Sequence, residues 1–276
     1  MHVIADTDAV PDALKGAVVA LGNFDGVHRG HQAVLAQAKT LAAERSTTAG
    51  AMTFTPHPRL YFKPNATMFT LSTLPRKQAL LDAYGMDFLA VLTFDRALAE
   101  QTAEAFVERI LVGRWAVSHI VVGYNFFFGR GRGGSPQMLA ELGPRLGFGV
   151  SVVAPASDAG EVFSSSSVRD HLRAGNVRDA AEILGHWWAV QGTVERGAQL
   201  GTAMGFPTVN LMLEPGQALH HGIYAARVVV DGRRYGGAAY NGRRPTFDNG
   251  VAKLEVFLFD FSGDLYGADI TVELVD

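Results

Sequence analysis

Cysteine is absent from the 276 residues, which excludes disulfides, thiolate metal sites and a cysteine nucleophile. Long apolar runs are missing too. No stretch approaches the roughly 18 residues needed to span a bilayer, so no membrane is expected as a partner. Excess charge of either sign is also lacking: Lys+Arg number 24 against 27 Asp+Glu, a formal net charge of -3. A general attraction to nucleic acid is thereby excluded, and phosphate binding has to come from a local site. The first residues, MHVIADTDAVPDALKG, carry acids where a secretory signal has its basic segment, and the cytoplasm is the expected compartment. What is present is a 48% hydrophobic, 18% charged chain, the composition of an ordered globular protein. Its length suits one large or two ordinary domains.

The first part alternates short apolar runs with helical periodicity. Strands are expected at 17–21, 50–54, 88–93, 119–122 and 150–153, with helices at 30–44, 76–83, 103–111 and 136–146. Continuous apolar strands that alternate with helices argue for a parallel sheet covered on both faces. Such a sheet binds ligands beyond the carboxyl ends of its strands. After about Gly185 the pattern changes. Segments 189–194, 224–230, 235–240, 254–259 and 270–274 read as strands punctuated by Gly and Pro, the pattern of a small antiparallel barrel. The expected division is 1–185 and 186–276.

The strongest local signal is Leu21-Gly22-Asn23-Phe24-Asp25-Gly26-Val27-His28-Arg29-Gly30-His31. An apolar strand enters a glycine-rich turn, and the helix that follows opens with two histidines. Glycine lets the main chain approach a ligand, and the helix N-terminus offers unpaired N–H groups to phosphate. His28 and His31, three apart, can face one ligand and donate to phosphoryl oxygens as charge develops.

GNFDGVHRGH resembles the His-x-Gly-His signature of nucleotidyltransferases in the form found in bacterial FAD synthetases. Further segments follow that family in order: Thr53 to Pro58 (TFTPHP), Gly123 to Gly129 (GYNFFFG) and Phe163 to Arg169 (FSSSSVR). Thr55 stands where many members have Glu, and Ser166 replaces Thr while keeping a hydroxyl. The resemblance implies that Gly22, Phe24, His28, Gly30, His31, Ser165, Ser166 and Arg169 meet ATP, with the two histidines catalytic. It implies that Asn23, Asp25, His57 and Asn125 line the flavin side. The implied reaction is attack of the FMN phosphate on the α-phosphorus of ATP, with pyrophosphate leaving and Mg²⁺ assisting. The basic turn Arg130-Gly131-Arg132 reads either as a solvated loop or as an added phosphate clamp.

In the second half, Gly201 to Asn210 (GTAMGFPTVN) presents a hydroxyl and an amide on an extended segment, oxygen donors suited to Mg²⁺ and phosphate. With GIYA at 222–225, NGRRPTF at 241–247, LEVF at 254–257 and DLYG at 264–267 it is similar to the riboflavin kinase barrel. That resemblance implies that Thr208 and Asn210 hold Mg²⁺ and ATP phosphates. It also implies that Arg244 meets the flavin and that Glu255 takes the proton of the ribityl hydroxyl. Thr202 stands where the family has Arg, and Phe257 where it has His. The family also continues past Val275-Asp276 into a C-terminal helix.

The expected activity is therefore FAD biosynthesis in two steps, riboflavin to FMN and FMN to FAD, with ATP, riboflavin and FMN as small-molecule substrates and an undefined oligomeric state. One rival is an FAD synthetase whose barrel is a degenerate flavin-binding or regulatory module. Another is a His-x-Gly-His enzyme acting on pantetheine or glycerol phosphate, but those families lack the barrel.

Overall fold

The computed structural model describes residues 1–65, 67–158, 161–195, 208–242 and 253–276. The described residues fall into two compact units. The first holds 1–66 and 77–163, the second 67–76 and 164–276.

The first unit is a parallel sheet whose strands are β1 (His2–Ala5), β2 (Val18–Leu21), β3 (Ala49–Thr55), β4 (Phe88–Thr93), β5 (His119–Gly123) and β6 (Gly149–Val153), in the order β1-β4-β3-β2-β5-β6. All four residues of β2 are buried, as are the first five of β4. Strands buried on both faces cannot alternate apolar with polar side chains, which is why these segments read as unbroken apolar runs. The helices are α1 (Arg29–Glu44), α2 (Pro58–Phe62), α3 (Leu74–Ala83, begun in the second unit), α4 (Arg96–Ala99), α5 (Ala103–Phe106) and α6 (Pro136–Leu146). A short hairpin, β7 (Ser157–Asp158) and β8 (Glu161–Val162), precedes the second unit. The order places the site: β2 leads to β3 and then β4 on one side, and the chain returns to β5 on the other side of β2. Because Leu21 pairs with Val122, the turns that start at Gly22 and Gly123 leave the sheet side by side at this reversal, where open α/β sheets hold ligands.

Short elements such as α2, α4 and the β7–β8 hairpin were not expected from the sequence, and two larger features depart from its reading. β1 was not anticipated; its four residues are too few to announce a strand, and β4 supplies the edge on which it pairs. The helix expected over 103–111 is α only to Phe106 and continues as a wider π-turn from Val107 to Arg114, which keeps Val107, Leu111 and Trp115 all buried. Trp115 stacks on Phe88, ring centroids 5.1 Å apart. Phe88 in turn needs Gly50 as its paired neighbour, since a Cβ there would fall 1.9 Å from its ring.

The second unit is an antiparallel, nearly closed barrel of β9 (Ala189–Thr193), β10 (Thr208–Met212), β11 (Gly222–Val230), β12 (Arg233–Gly242), β13 (Lys253–Leu258) and β14 (Asp269–Leu274), in the order β10-β13-β12-β11-β14-β9. A bridge between Glu195 and Asn210 brings the ends of that order together. Burial alternates along β11 and β13, as expected of strands with one face in the core. Helices α7 (Ser165–Ala174) and α8 (Val177–Leu184) and the 67–76 segment pack with the barrel. Arg169 donates to the carbonyl of Phe69, and Trp188 Nε1 donates to that of Leu71 at 3.0 Å. Compactness therefore groups 164–185 with the barrel, upstream of the division expected at 185.

Candidate functional site

In the first unit the chain turns sharply between β2 and α1. Gly26 takes a left-handed φ of 80°, and so do the non-glycine residues Phe24 (47°) and Val27 (46°). A β-branched residue there is a genuine outlier, and strain of this kind persists where surrounding structure over-determines it. His28 is the N-cap of α1: its Nδ1 accepts from the main-chain N–H of His31 at 3.3 Å. That bond places the proton of a neutral imidazole on Nε2, the tautomer in which Nε2 is a donor. The two histidine rings stack, centroids 3.7 Å apart, and Phe24 meets His31 edge-on at 5.3 Å. His31 Nδ1 is sealed from solvent with no hydrogen-bond partner. Desolvation first, then the neighbouring His28 and Lys77, hold His31 well below the usual histidine range. A neutral imidazole at a helix N-terminus is a hydrogen-bond donor that brings no charge of its own. Gly30 is required between them, for a Cβ there would lie 3.0 Å from the His28 ring and from the Phe163 carbonyl.

The structure thus brings Gly22, Asn23, Phe24, Asp25, His28, Gly30 and His31 into one turn. Asp25 and His28 are buried and Asn23 is half-buried. His57 caps α2, accepting from Arg59 N–H at 3.1 Å. Asn125 is exposed in the turn after β5, beside the β2 turn at the sheet's reversal. Arg132 of the basic turn lies 5.0 Å over the Phe127 ring.

In the second unit Ser164 caps α7, accepting from Ser167 N–H at 3.1 Å. Ser165 is half-buried and Ser166 exposed. Arg169 is buried and anchored on main chain, with Nη1 donating to the Ser165 carbonyl at 3.1 Å. On the barrel, Asn210 pairs with Glu255 and Thr208 with Phe257 across β10 and β13, and Glu255 pairs on its other side with Tyr240 of β12. Residues paired across antiparallel strands share a face. One face therefore carries a hydroxyl, an amide, a carboxylate and a phenol, while Val209, Leu211, Leu254 and Val256 fill the core. Hard oxygen donors from Thr208 and Asn210, with a carboxylate opposite, fit Mg²⁺ better than a softer metal. Arg244 and Thr202 lie outside the described residues.

Two residues escaped the sequence reading. Thr53 and Lys77, both buried, reach the β2 turn from β3 and α3. The available signal was a lysine on the face of α3 that buries Leu80 and Leu81.

Comparison with known proteins accords with both halves. Residues 10–167 match the family described as FAD synthetase and residues 184–276 the family described as riboflavin kinase. The chain is 38% identical to the bifunctional riboflavin kinase/FMN adenylyltransferase of Pseudomonas fluorescens and 36% identical to that of Escherichia coli K12, each over 94% of this chain and 83% of the relative. The protein of the same description from Haemophilus influenzae is 35% identical over 99% of this chain and 89% of its own. A crystal structure described as a macrolide-efflux protein from Streptococcus pneumoniae superposes with a TM-score of 0.88 at 28% identity, covering 100% of this chain and 90% of that one. The efflux description belongs to that protein; among the described residues here no helix is long and apolar enough to cross a membrane.

Proposed function

The chain belongs to the bifunctional riboflavin kinase/FMN adenylyltransferase family, and from that premise we propose that it makes FMN from riboflavin in its barrel and FAD from FMN at the β2–α1 turn, with the functional division near residue 185. The observation that carries the second reaction is the stacked His28–His31 pair on the first turn of α1, where the sheet order reverses.

In adenylyl transfer an oxygen of the FMN phosphate attacks the α-phosphorus of ATP. The new P–O bond forms as the bond to the β-phosphate oxygen breaks, and pyrophosphate leaves with the electron pair. No protein nucleophile is required. His28 and His31 donate through ring N–H groups to the oxygens on which charge grows, and the N–H groups of α1 add to that field. Gly22 and Gly30 let the main chain close on the phosphates. Ser165, Ser166 and Arg169 keep the ATP assignment that their motif implies, and Asn23, Asp25, His57 and Asn125 the flavin one.

In the kinase half, Glu255 accepts the proton of the ribityl hydroxyl as that oxygen attacks the γ-phosphorus of ATP, and ADP leaves with the electron pair of the broken bond to the bridging oxygen. Mg²⁺ bound at Thr208 and Asn210 would neutralise phosphate charge there. The register supports this division of roles, because Asn210 and Glu255 stand directly opposite each other.

Product analysis tests both halves at once. Purified protein given riboflavin, ATP and Mg²⁺ is expected to yield FMN, FAD, ADP and pyrophosphate. FAD from FMN with no FMN from riboflavin would leave the adenylyltransferase standing and reduce the barrel to a binding module.

A further inference from the structure

Behind the phosphate-binding turn stands a buried cation that the chemistry above does not use. Lys77 is 8% exposed, and lysine is almost never buried so deeply without partners. Its Nζ donates to the main-chain carbonyl of Asn23 at 2.7 Å and lies 3.3 Å from Thr53 Oγ1. Thr53 Oγ1 donates to the same carbonyl at 3.1 Å. One carbonyl, at the start of the β2–α1 turn, is therefore gripped from β3 and from α3 at once. The next residue, Phe24, is the first of three left-handed positions in the turn, followed by Gly26 and Val27. Backbone strain of this kind needs surroundings that enforce it. Asp25 supplies an opposite charge to the ammonium.

We propose that Lys77 is a positioning residue for adenylyl transfer: together with Thr53 it clamps the Asn23 carbonyl, holds the strained turn in shape and so places His28 and His31 on the nucleotide phosphates. The inference rests on the adenylyltransferase reading above. It adds a requirement for charge, not only for bulk. Desolvation lowers Lys77 to about 8, with Asp25 pulling the other way. The groups facing it are Asn23 and Asp25 in the turn, Thr53 on β3 and His31 on α1. The charged clamp is thus complete well below pH 8 and is lost as pH rises through about 8.

Lys77→Met and Lys77→Arg in the full chain test this by steady-state FAD formation from FMN and ATP. Lys77→Met is expected to lower kcat by about 10- to 100-fold while KM for either substrate moves much less, since a small misplacement of reacting groups costs that much. Wild-type kcat should fall above pH 8. That limb should vanish in Lys77→Met and move upward in Lys77→Arg, whose guanidinium stays charged and recovers part of the rate. A folded Lys77→Met with the wild-type rate overturns the proposal, as does an unchanged alkaline limb in both variants. If Lys77→Met does not fold, Lys77→Arg and Thr53→Val decide: a several-fold loss of kcat in Thr53→Val is expected, and wild-type kinetics in both would overturn the clamp. A wild-type chain that makes no FAD instead overturns the adenylyltransferase reading itself, so the two failures are told apart by which protein is silent.

Discussion

The two units build phosphate chemistry by opposite means. In the sheet the candidate site is a turn shaped by a helix terminus and three left-handed residues, and side chains such as His28 are themselves tied into the cap. In the barrel the described part of the site lies on two paired strands, and register alone sets Asn210 opposite Glu255 and Thr208 opposite Phe257. A turn site is therefore sensitive to any atom added to its backbone, whereas a strand-face site is sensitive to the chemistry of individual side chains.

The largest expected effect strikes the barrel alone. Glu255→Gln should reduce FMN formation from riboflavin by roughly 10²- to 10⁴-fold, the range for loss of a general base, while FMN-to-FAD conversion stays near wild type. Equal loss of both activities would erase the two-site comparison. The mirror experiment is His28→Ala or His31→Ala, each expected to cut FAD formation by about 10²-fold or more with riboflavin phosphorylation retained. Full FAD synthesis in either variant, with the fold intact, would remove the histidine pair from the chemistry.

Glycine substitutions sharpen the contrast on a smaller scale. Gly30→Ala forces a methyl to within 3.0 Å of the His28 ring and the Phe163 carbonyl, and a destabilisation of about 1–3 kcal/mol is expected from such overpacking. Gly192→Ala on β9 meets only Leu211 Cδ2 at 3.7 Å, an ordinary contact, and should leave thermal stability essentially unchanged. Equal melting-temperature losses in the two variants would contradict the contrast.

The smallest effect is a pH slope in the sheet unit. Burial first, then the charge of Arg45, lower His119 from its ordinary range. Its Nδ1 lies 3.1 Å from Arg45 Nη2 and its Nε2 2.9 Å from Ser151 Oγ. Just below pH 6.5 the unfolded chain binds the proton more readily than the folded one, so stability falls as pH drops through that window. His31 acts in the same direction. Urea midpoints at pH 7.5 and 5.5 should show this slope, reduced in His119→Gln. An undiminished slope would assign it elsewhere.

Apolar runs and their spacing were enough to place β2 through β6 of the sheet and five of the six barrel strands, because burial on two faces or on one leaves its mark on composition directly; β10 (Thr208–Met212) reads only as an extended segment after a loop. The candidate site was legible to the same extent. A glycine turn between strand and helix with two histidines three apart needs no distant partner to be recognised, whereas Glu255 is singled out only by the resemblance of LEVF at 254–257 to the riboflavin kinase barrel. What stayed hidden depends on other segments. Whether α7, α8 and 67–76 pack with the sheet or the barrel is settled by hydrogen bonds such as that of Trp188 to the Leu71 carbonyl, 117 residues apart along the chain. The pairing of Asn210 with Glu255 required the register of two strands far apart in sequence.

Local order in the chain determined the turn and its histidines, since glycine conformation, helix capping and side-chain period act over a few residues. Only the tertiary structure decided what meets that turn from outside. Lys77 reads as one more helix lysine until α3 is laid against the sheet, where its buried ammonium meets the Asn23 carbonyl and the Thr53 hydroxyl.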